Sequence, residues 1–273
     1  MTFRSLLFVP GSRPDRFEKA AASGADAVCI DLEDAVAPRD KDKARADTFA
    51  FLKSSPQGAA VGFRLNALSS LDGFRDVVAF AGSGARPAFI MIPKASGGDE
   101  LAQLRAALGV EAPPFWPLLE HPSALPRLFD IARAAGSSGG VMLGGVDYSA
   151  ALGREPGWEA LHHARASLVA ATAAAGCGSI DAPYIDVKDE AGLAAETQRV
   201  RDMGFTGRAC IHPAQIAAIN AIFTPSAEEM SKAEKVAAAY DAAGGGVSLL
   251  DGSLIEAPVR AQAERVLKQG RKD

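Results

Sequence analysis

Eight short apolar runs recur along the chain, each followed by a longer amphipathic stretch, and this alternation restricts the fold more than any other feature. The runs cover residues 5–10, 27–32, 60–66, 88–94, 115–120, 140–145, 179–186 and 208–213. Continuous apolar runs of this length suit parallel strands covered on both faces. Helix candidates lie between them at 39–53, 98–108, 158–175 and 190–203, the third with Leu161, Ala164, Leu168 and Ala171 at helical spacing. Eight strand-then-helix units in series predict an α/β fold, a (β/α)8 TIM barrel. A doubly wound sheet is the runner-up, but it rarely uses eight regular units.

Beyond the eighth run the chain reads as a helix over 214–222 and a second over 227–242, opened by Thr224-Pro225-Ser226. A glycine break at 244–246 precedes a hairpin turning at Asp251-Gly252, and a last helix runs over 258–268. Asp-Gly between apolar runs is a strong hairpin signal. Eight units do not need this segment. The expected organisation is therefore a barrel over 1–222 and a C-terminal helix–hairpin–helix extension over 223–273, serving as a lid or an oligomer arm.

Composition removes several classes of function. With 48% hydrophobic and 23% charged residues, the bulk of the chain is neither disordered nor of low complexity. A net charge of -4 argues against a nucleic-acid surface but leaves small anions open, because a local cluster of Arg and Lys can bind them. Cys29, Cys177 and Cys210 are too scattered for a disulfide framework or a CxxC metal site. No apolar run reaches the ~20 residues of a membrane span, and the first residues lack the apolar stretch and cleavage site of a signal peptide. A cytoplasmic protein with no nucleic-acid or membrane partner is expected.

In a barrel of this kind, catalytic side chains sit at the C-terminal ends of the strands. Those ends carry Phe8, the trio Asp31, Glu33 and Asp34, then Arg64, Lys94, Glu120, Asp147, Asp186 and His212. Glu120 and Asp147 close neighbouring strands, so their carboxylates can converge. As a hard-oxygen pair they suit Mg²⁺, or Mn²⁺, with helix capping or pairing to Arg as the competing reading. Gly144-Gly145 ahead of Asp147 would let a substrate approach the backbone closely. Arg64 offers a bidentate hydrogen bond to a carboxylate or a developing oxyanion, and a salt bridge to Asp31, Glu33 or Asp34 is the other use for it. Lys94 is read either as a similar cation or as a Schiff-base lysine.

Pro14 suits the first position of a helix. Arg13, Arg16 and Lys19, three apart, would share one face of it as an anion site or as a solvated basic face. His162 and His163 fall mid-helix and are expected to meet solvent. His121 neighbours Glu120, and His212 would hydrogen-bond substrate or order its loop. The charge run over 40–45, DKDKAR, reads as a solvated helix start. There is no P-loop, no GxGxxG and no supported Ser-His-Asp arrangement.

The segments RSLLFVPG, DAVCIDLEDAV with DKDKAR, FRLN, IMIPKA, PLLEHP, GGVDYS and GFTGRACIHPAQI occur in that order. Together they resemble the citrate lyase β-subunit family, with the malyl-CoA and citramalyl-CoA lyases, in the HpcH/HpaI aldolase superfamily. The resemblance runs from Arg4 to about Leu267. It implies a Mg²⁺-dependent (β/α)8 barrel, working as a homotrimer or hexamer, that cleaves or forms a carbon–carbon bond beside a CoA thioester. A 2-oxo acid is the other substrate or product. By motif, Glu120 and Asp147 match the metal ligands, and Arg64 matches the arginine beside the reacting oxygen. Phe8, Arg13 and Lys19 match contacts to the thioester. Val146 matches a backbone contact to the oxo-acid carboxylate, and Ile211-His212 a further contact from strand eight.

Three positions depart from that pattern. The family's G-T-N-D-L is Gly145-Val146-Asp147-Tyr148 here, where the larger Tyr148 is expected to reshape the pocket. Its E-T or E-S is Glu120-His121. In the tail, GSLIEAP places Glu256 where the thioester lyases carry the acid/base aspartate delivered to a neighbouring subunit. Glutamate reaches roughly 1.5 Å further. Three other activities stay open: a class II-type aldolase on free hydroxy or oxo acids without CoA, a carrier-dependent citrate lyase β-subunit, and a binding protein that has lost catalysis.

Overall fold

The computed structural model describes residues 2–270, so Met1 and residues 271–273 at the ends of the two expected spans lie outside it. Eight parallel strands close into a barrel in chain order. They are β1 (Ser5–Pro10), β2 (Ala27–Asp31), β3 (Ala60–Arg64), β4 (Ile90–Ile92), β5 (Phe115–Leu119), β6 (Gly140–Leu143), β7 (Gly178–Asp181) and β8 (Gly207–Cys210). β8 closes on β1, with Leu6 opposite Ala209 and Leu7 opposite Cys210. The chain is therefore the α/β (β/α)8 barrel its alternating pattern predicts.

Helices follow the strands: α1 (Phe17–Ala21), α2 (Lys41–Lys53), α3 (Leu71–Ser83), α4 (Gly98–Leu108), α5 (Leu128–Ala135), α6 (Gly145–Ala151), α7 (Trp158–Ala175), α8 (Glu190–Met203) and α9 (Ile216–Phe223). The ends of α3 have a local cause. Ser70 caps α3 by accepting a hydrogen bond from the Gly73 amide, and Gly84 ends it in the left-handed region.

The barrel interior is packed with Leu6, Cys29, Phe89, Met91, Trp116, Leu118, Met142 and Ile180. Large rings fit because two strands carry glycine opposite them. A Cβ at Gly62 would strike the Phe89 ring, and one at Gly140 would strike Trp116. Large facing small is how a narrow barrel fills its centre without voids.

Every strand after the first stops short of its expected end, by one residue in β2 and β5 and by two to five in the others. The seventh strand stops at Asp181, not Asp186, because Pro183 has no N–H for the ladder, although the sequence stays apolar to Tyr184. The sixth stops at Leu143, because Gly145 already opens α6.

The chain divides into two compact units, the first through Asn220 and the second from Ala221. The second holds α10 (Ala227–Ala242), the hairpin β9 (Ser248–Leu250) and β10 (Ser253–Ile255), and α11 (Ala257–Gly270). Ser226 and Glu229 form a capping box at the start of α10. Ala233, Val236, Ile255 and Ala263 make a small core of its own. The hairpin turns at Asp251 (φ 49°) and Gly252 (φ 78°), two positive angles in a row as a type I′ turn requires.

Candidate active site

At the C-terminal end of the barrel lies a pocket of about 380 Å³. Phe8, Arg64, Glu120, Val146, Asp147 and Ile211, all named by sequence, line it. Asp31 and Asp34 line it too, with Leu118, Met142 and Pro183 supplying apolar wall.

Glu120 follows β5 directly and is only 2% exposed. Neither of its carboxylate oxygens has a hydrogen-bond partner. Burial raises its pKa to about 8; the charges of Glu33 and Asp147 push the same way, while Arg64 and Lys94 oppose them. Space for the side chain comes from the neighbouring strand. Leu119 pairs with Leu143 and its carbonyl accepts the Gly144 amide, so Gly144 sits beside Glu120. A Cβ at Gly144 would fall on Glu120 Cγ. Gly144 thus makes room for the carboxylate, and both Gly144 and Gly145 line the pocket. Asp147 sits in the first turn of α6 and is exposed.

Arg64 ends β3. Its Nε and Nη2 donate to the two oxygens of Asp31, both at 2.7 Å, and Nη1 lies 3.1 Å from Glu33. Phe8 packs on the guanidinium at 5.5 Å. Asp31 also accepts the Glu33 and Ala35 amides at 2.9 and 3.1 Å. The salt bridge foreseen for Arg64 is therefore present, and Arg64 also lines the pocket.

Glu33 forms a second ion pair, 2.8 Å from Lys94 Nζ. Lys94 adopts a left-handed backbone (φ 52°), unusual for a side chain of its size, and does not line the pocket. Its hydrogen bond to Glu33 raises the ammonium pKa. A Schiff-base lysine works through the opposite shift, and Lys94 is instead ion-paired with Glu33.

Other sequence candidates fall outside the pocket wall. Arg13 is exposed and held by Asp15 at 2.7 and 2.8 Å, and Lys19 is also exposed. His212 caps the short turn after β8, its ring accepting the Ala214 amide at 3.2 Å, which is the loop-ordering role. His121 does the same after β5 through Ser123. His162 and His163 are exposed. Tyr148 is 4% exposed and does not line the pocket, so it packs in the interior and does not reshape the site. Glu256, in the second unit, is exposed between β10 and α11.

Sequence reasoning missed a buried ionic cluster behind α6. Arg165 of α7 grips Asp181 at 2.9 and 3.0 Å and reaches Glu196 at 3.1 Å, while Arg208 meets Glu196 at 2.5 Å. Arg165, Asp181 and Arg208 are at most 2% exposed. The one available signal was an arginine on the apolar face of α7, between Leu161 and Leu168. Among the described residues, no cluster of three or more His, Cys, Asp or Glu could hold a metal, and no helix is long and apolar enough to cross a membrane.

A closed parallel barrel thus carries a buried acid, a second acid and a clamped arginine at its C-terminal mouth. Residues 4–213 match the family model described as HpcH/HpaI aldolase/citrate lyase, and the chain belongs to that family. It is 33% identical over 298 residues to an L-malyl-CoA/beta-methylmalyl-CoA lyase of Cereibacter sphaeroides, covering 97% of this chain and 94% of that one. It is 37% identical over 264 residues to a (3S)-malyl-CoA thioesterase of the same organism, covering 93% and 90%. Among solved structures it is similar to CitE of Mycobacterium tuberculosis in complex with magnesium, acetoacetate and coenzyme A. That match has a TM-score of 0.81 and 31% identity, covering 99% of both chains. RipC of Yersinia pestis matches with a TM-score of 0.73 and 36% identity, covering 83% and 97%.

Proposed function

We propose that this chain is a Mg²⁺-dependent carbon–carbon lyase. It would cleave or form a 3-hydroxyacyl-CoA of the malyl-, citramalyl- or citryl-CoA type, with a 2-oxo acid and an acyl-CoA as the other partners. The observation that carries the reading is Glu120: a buried carboxylate with no donor on either oxygen, sharing a pocket with Asp147 and Arg64. Its support includes the similarity to a malyl-CoA lyase and to CitE bound to magnesium and coenzyme A.

Burying a carboxylate without a partner is costly, and a hard divalent cation relieves that cost through oxygen ligands. Glu120 and Asp147 fit such an ion. Bound there, Mg²⁺ would supply Lewis acidity toward a carbonyl or hydroxyl oxygen of the substrate. Arg64 presents a permanent charge to the oxygen on which negative charge develops. Because Asp31 and Glu33 already fix it, it needs no reorganisation during the reaction. Val146, through its backbone, would contact the oxo acid, Ile211-His212 would give a further substrate contact from the end of β8, and Phe8, Arg13 and Lys19 would contact the thioester.

In the cleavage direction a general base takes the proton of the substrate hydroxyl. The alkoxide becomes the carbonyl of the 2-oxo acid, and the breaking carbon–carbon bond leaves its electron pair on the carbon next to the thioester as an enolate. Glu256, delivered by a neighbouring subunit of a homotrimer or hexamer, would return a proton to that carbon. In the condensation direction it would remove one.

The test is release of 2-oxo acid by the purified protein from malyl-, citramalyl- and citryl-CoA, with and without Mg²⁺. Glu120→Ala and Asp147→Ala should each abolish Mg²⁺-dependent turnover, and unchanged turnover in either would remove the metal assignment. Similarity to a (3S)-malyl-CoA thioesterase favours a second reading, hydrolysis of the thioester. Free CoA thiol appearing without oxo acid would select it.

A further inference from the structure

The charge run over 40–45 is a helix start that is only half solvated: Asp42 and Lys43 are exposed, but Arg45 is buried. Lys41 turns inward, and its ammonium donates to three acceptors: Leu32 O at 2.9 Å, Glu33 O at 2.9 Å and Asn66 Oδ1 at 2.6 Å. Two belong to the turn after β2 and the third to the turn after β3, so one ammonium ties together the segments on both sides of Arg64. Arg45, four residues on and on the same face of α2, reaches Asn66 by a longer route. Its Nε donates to Asp76 at 2.6 Å, and Asp76, fully buried, accepts both the backbone amide and the side-chain amide of Asn66 at 2.7 Å.

The tie bears on Arg64 through its anchors. Arg64 is held by Asp31 and by Glu33. Lys41 fixes the carbonyl of Glu33, whose own amide is fixed by Asp31. An ammonium with all three hydrogens committed to converging acceptors sets positions more tightly than a solvated charge does.

We propose that Lys41 is a positioning residue for Arg64. It locks the β2 and β3 turns so that the guanidinium stays aimed at the reacting oxygen. The kinetic half of this inference rests on the lyase reading above; the structural half does not.

The test uses the full-length protein and reads Arg64 directly, through the hydrogen-exchange rate of its Nε–H by ¹⁵N NMR. In Lys41→Met that exchange should speed up at least tenfold, while the Leu119 and Glu120 amides keep their rates. If Lys41→Met does not fold, Lys41→Gln carries the same test, and Lys41→Arg should recover part of the protection. The kinetic expectation is a kcat at least tenfold lower, KM within threefold of wild type and Mg²⁺ affinity unchanged. An Arg64 Nε–H that exchanges at the wild-type rate in a folded variant overturns the proposal, as does equal loosening around Glu120. An inactive wild type overturns the lyase reading instead, and the Arg64 exchange rate still decides the positioning role.

Discussion

Arg64 and Asp31 meet across neighbouring strands as a two-pronged pair, Nε to Oδ1 and Nη2 to Oδ2, both at 2.7 Å. Asp31 is 2% exposed, and Arg64 is the cation paired with its carboxylate. The pair makes Arg64 both a structural and a chemical element, and the two roles separate on substitution.

Arg64→Lys keeps a cation but loses the fork. Turnover should fall about 10²–10³-fold, the usual cost of a lost oxyanion donor. Arg64→Ala also strands Asp31 and Glu33 without their partner and should cost about 3–5 kcal/mol of stability. Steady-state kinetics and urea unfolding of both variants check this.

Gly144→Ala tests the packing of Glu120. The backbone at Gly144 (φ -89°, ψ 75°) does not demand glycine, so the effect should come from the methyl group meeting Glu120 Cγ. Overpacking of this kind costs about 1–3 kcal/mol. Mg²⁺ affinity, measured by calorimetry, should fall by roughly tenfold or more as the carboxylate is displaced, with the energy scale set by that strain.

Asp181→Asn should be a stability mutant only. It leaves Arg165 buried with half its charge partner gone, at about 3–5 kcal/mol. Chemical unfolding should show the loss, while Mg²⁺ binding stays within a factor of two or so, as distant independent sites do.

The thiols should be slow to alkylate in the native protein. Burial raises Cys177 to about 11 and Cys210 to about 12. The reactive form is the thiolate, so a group with a raised pKa reacts less at a given pH and speeds up as pH rises toward that value. At pH 8, Cys177 should label roughly two orders of magnitude more slowly than an unperturbed thiol. A mass-spectrometric time course from pH 8 to 10 checks both the slow rate and its rise.

Glu256→Gln removes the proposed proton carrier without changing its size. Turnover should drop by about 10²-fold or more, the usual share of general acid–base catalysis. Mg²⁺ affinity should be unaffected, and kinetics beside calorimetry distinguish the two.

Much of this was legible in the chain because the cues were local. α4, α7 and α8 begin and end where their periodicity breaks, next to glycines that end helices. The acids at Glu120 and Asp147 were legible because each follows an apolar run. What escaped were partnerships between distant residues. Lys41 looks solvated in a run of mixed charge, since Asn66 lies 25 residues away. Arg165 looks misplaced until Asp181 and Glu196, 16 and 31 residues on, are brought to it. No window-based reading can see a counter-ion delivered by another strand.

The closure of β1 on β8 sets a condition on how the molecule is made. Ser5 pairs with Arg208, so during synthesis the first strand of the barrel has one edge unsatisfied until the eighth has emerged. At about 5–20 residues per second that interval is roughly 10–40 seconds. During it the nascent chain carries an open, strongly apolar strand edge, Leu6 and Leu7 among its residues. Such an edge invites pairing with other chains. Conditions that slow synthesis should therefore lower the yield of folded protein more than an equal loss of native stability would.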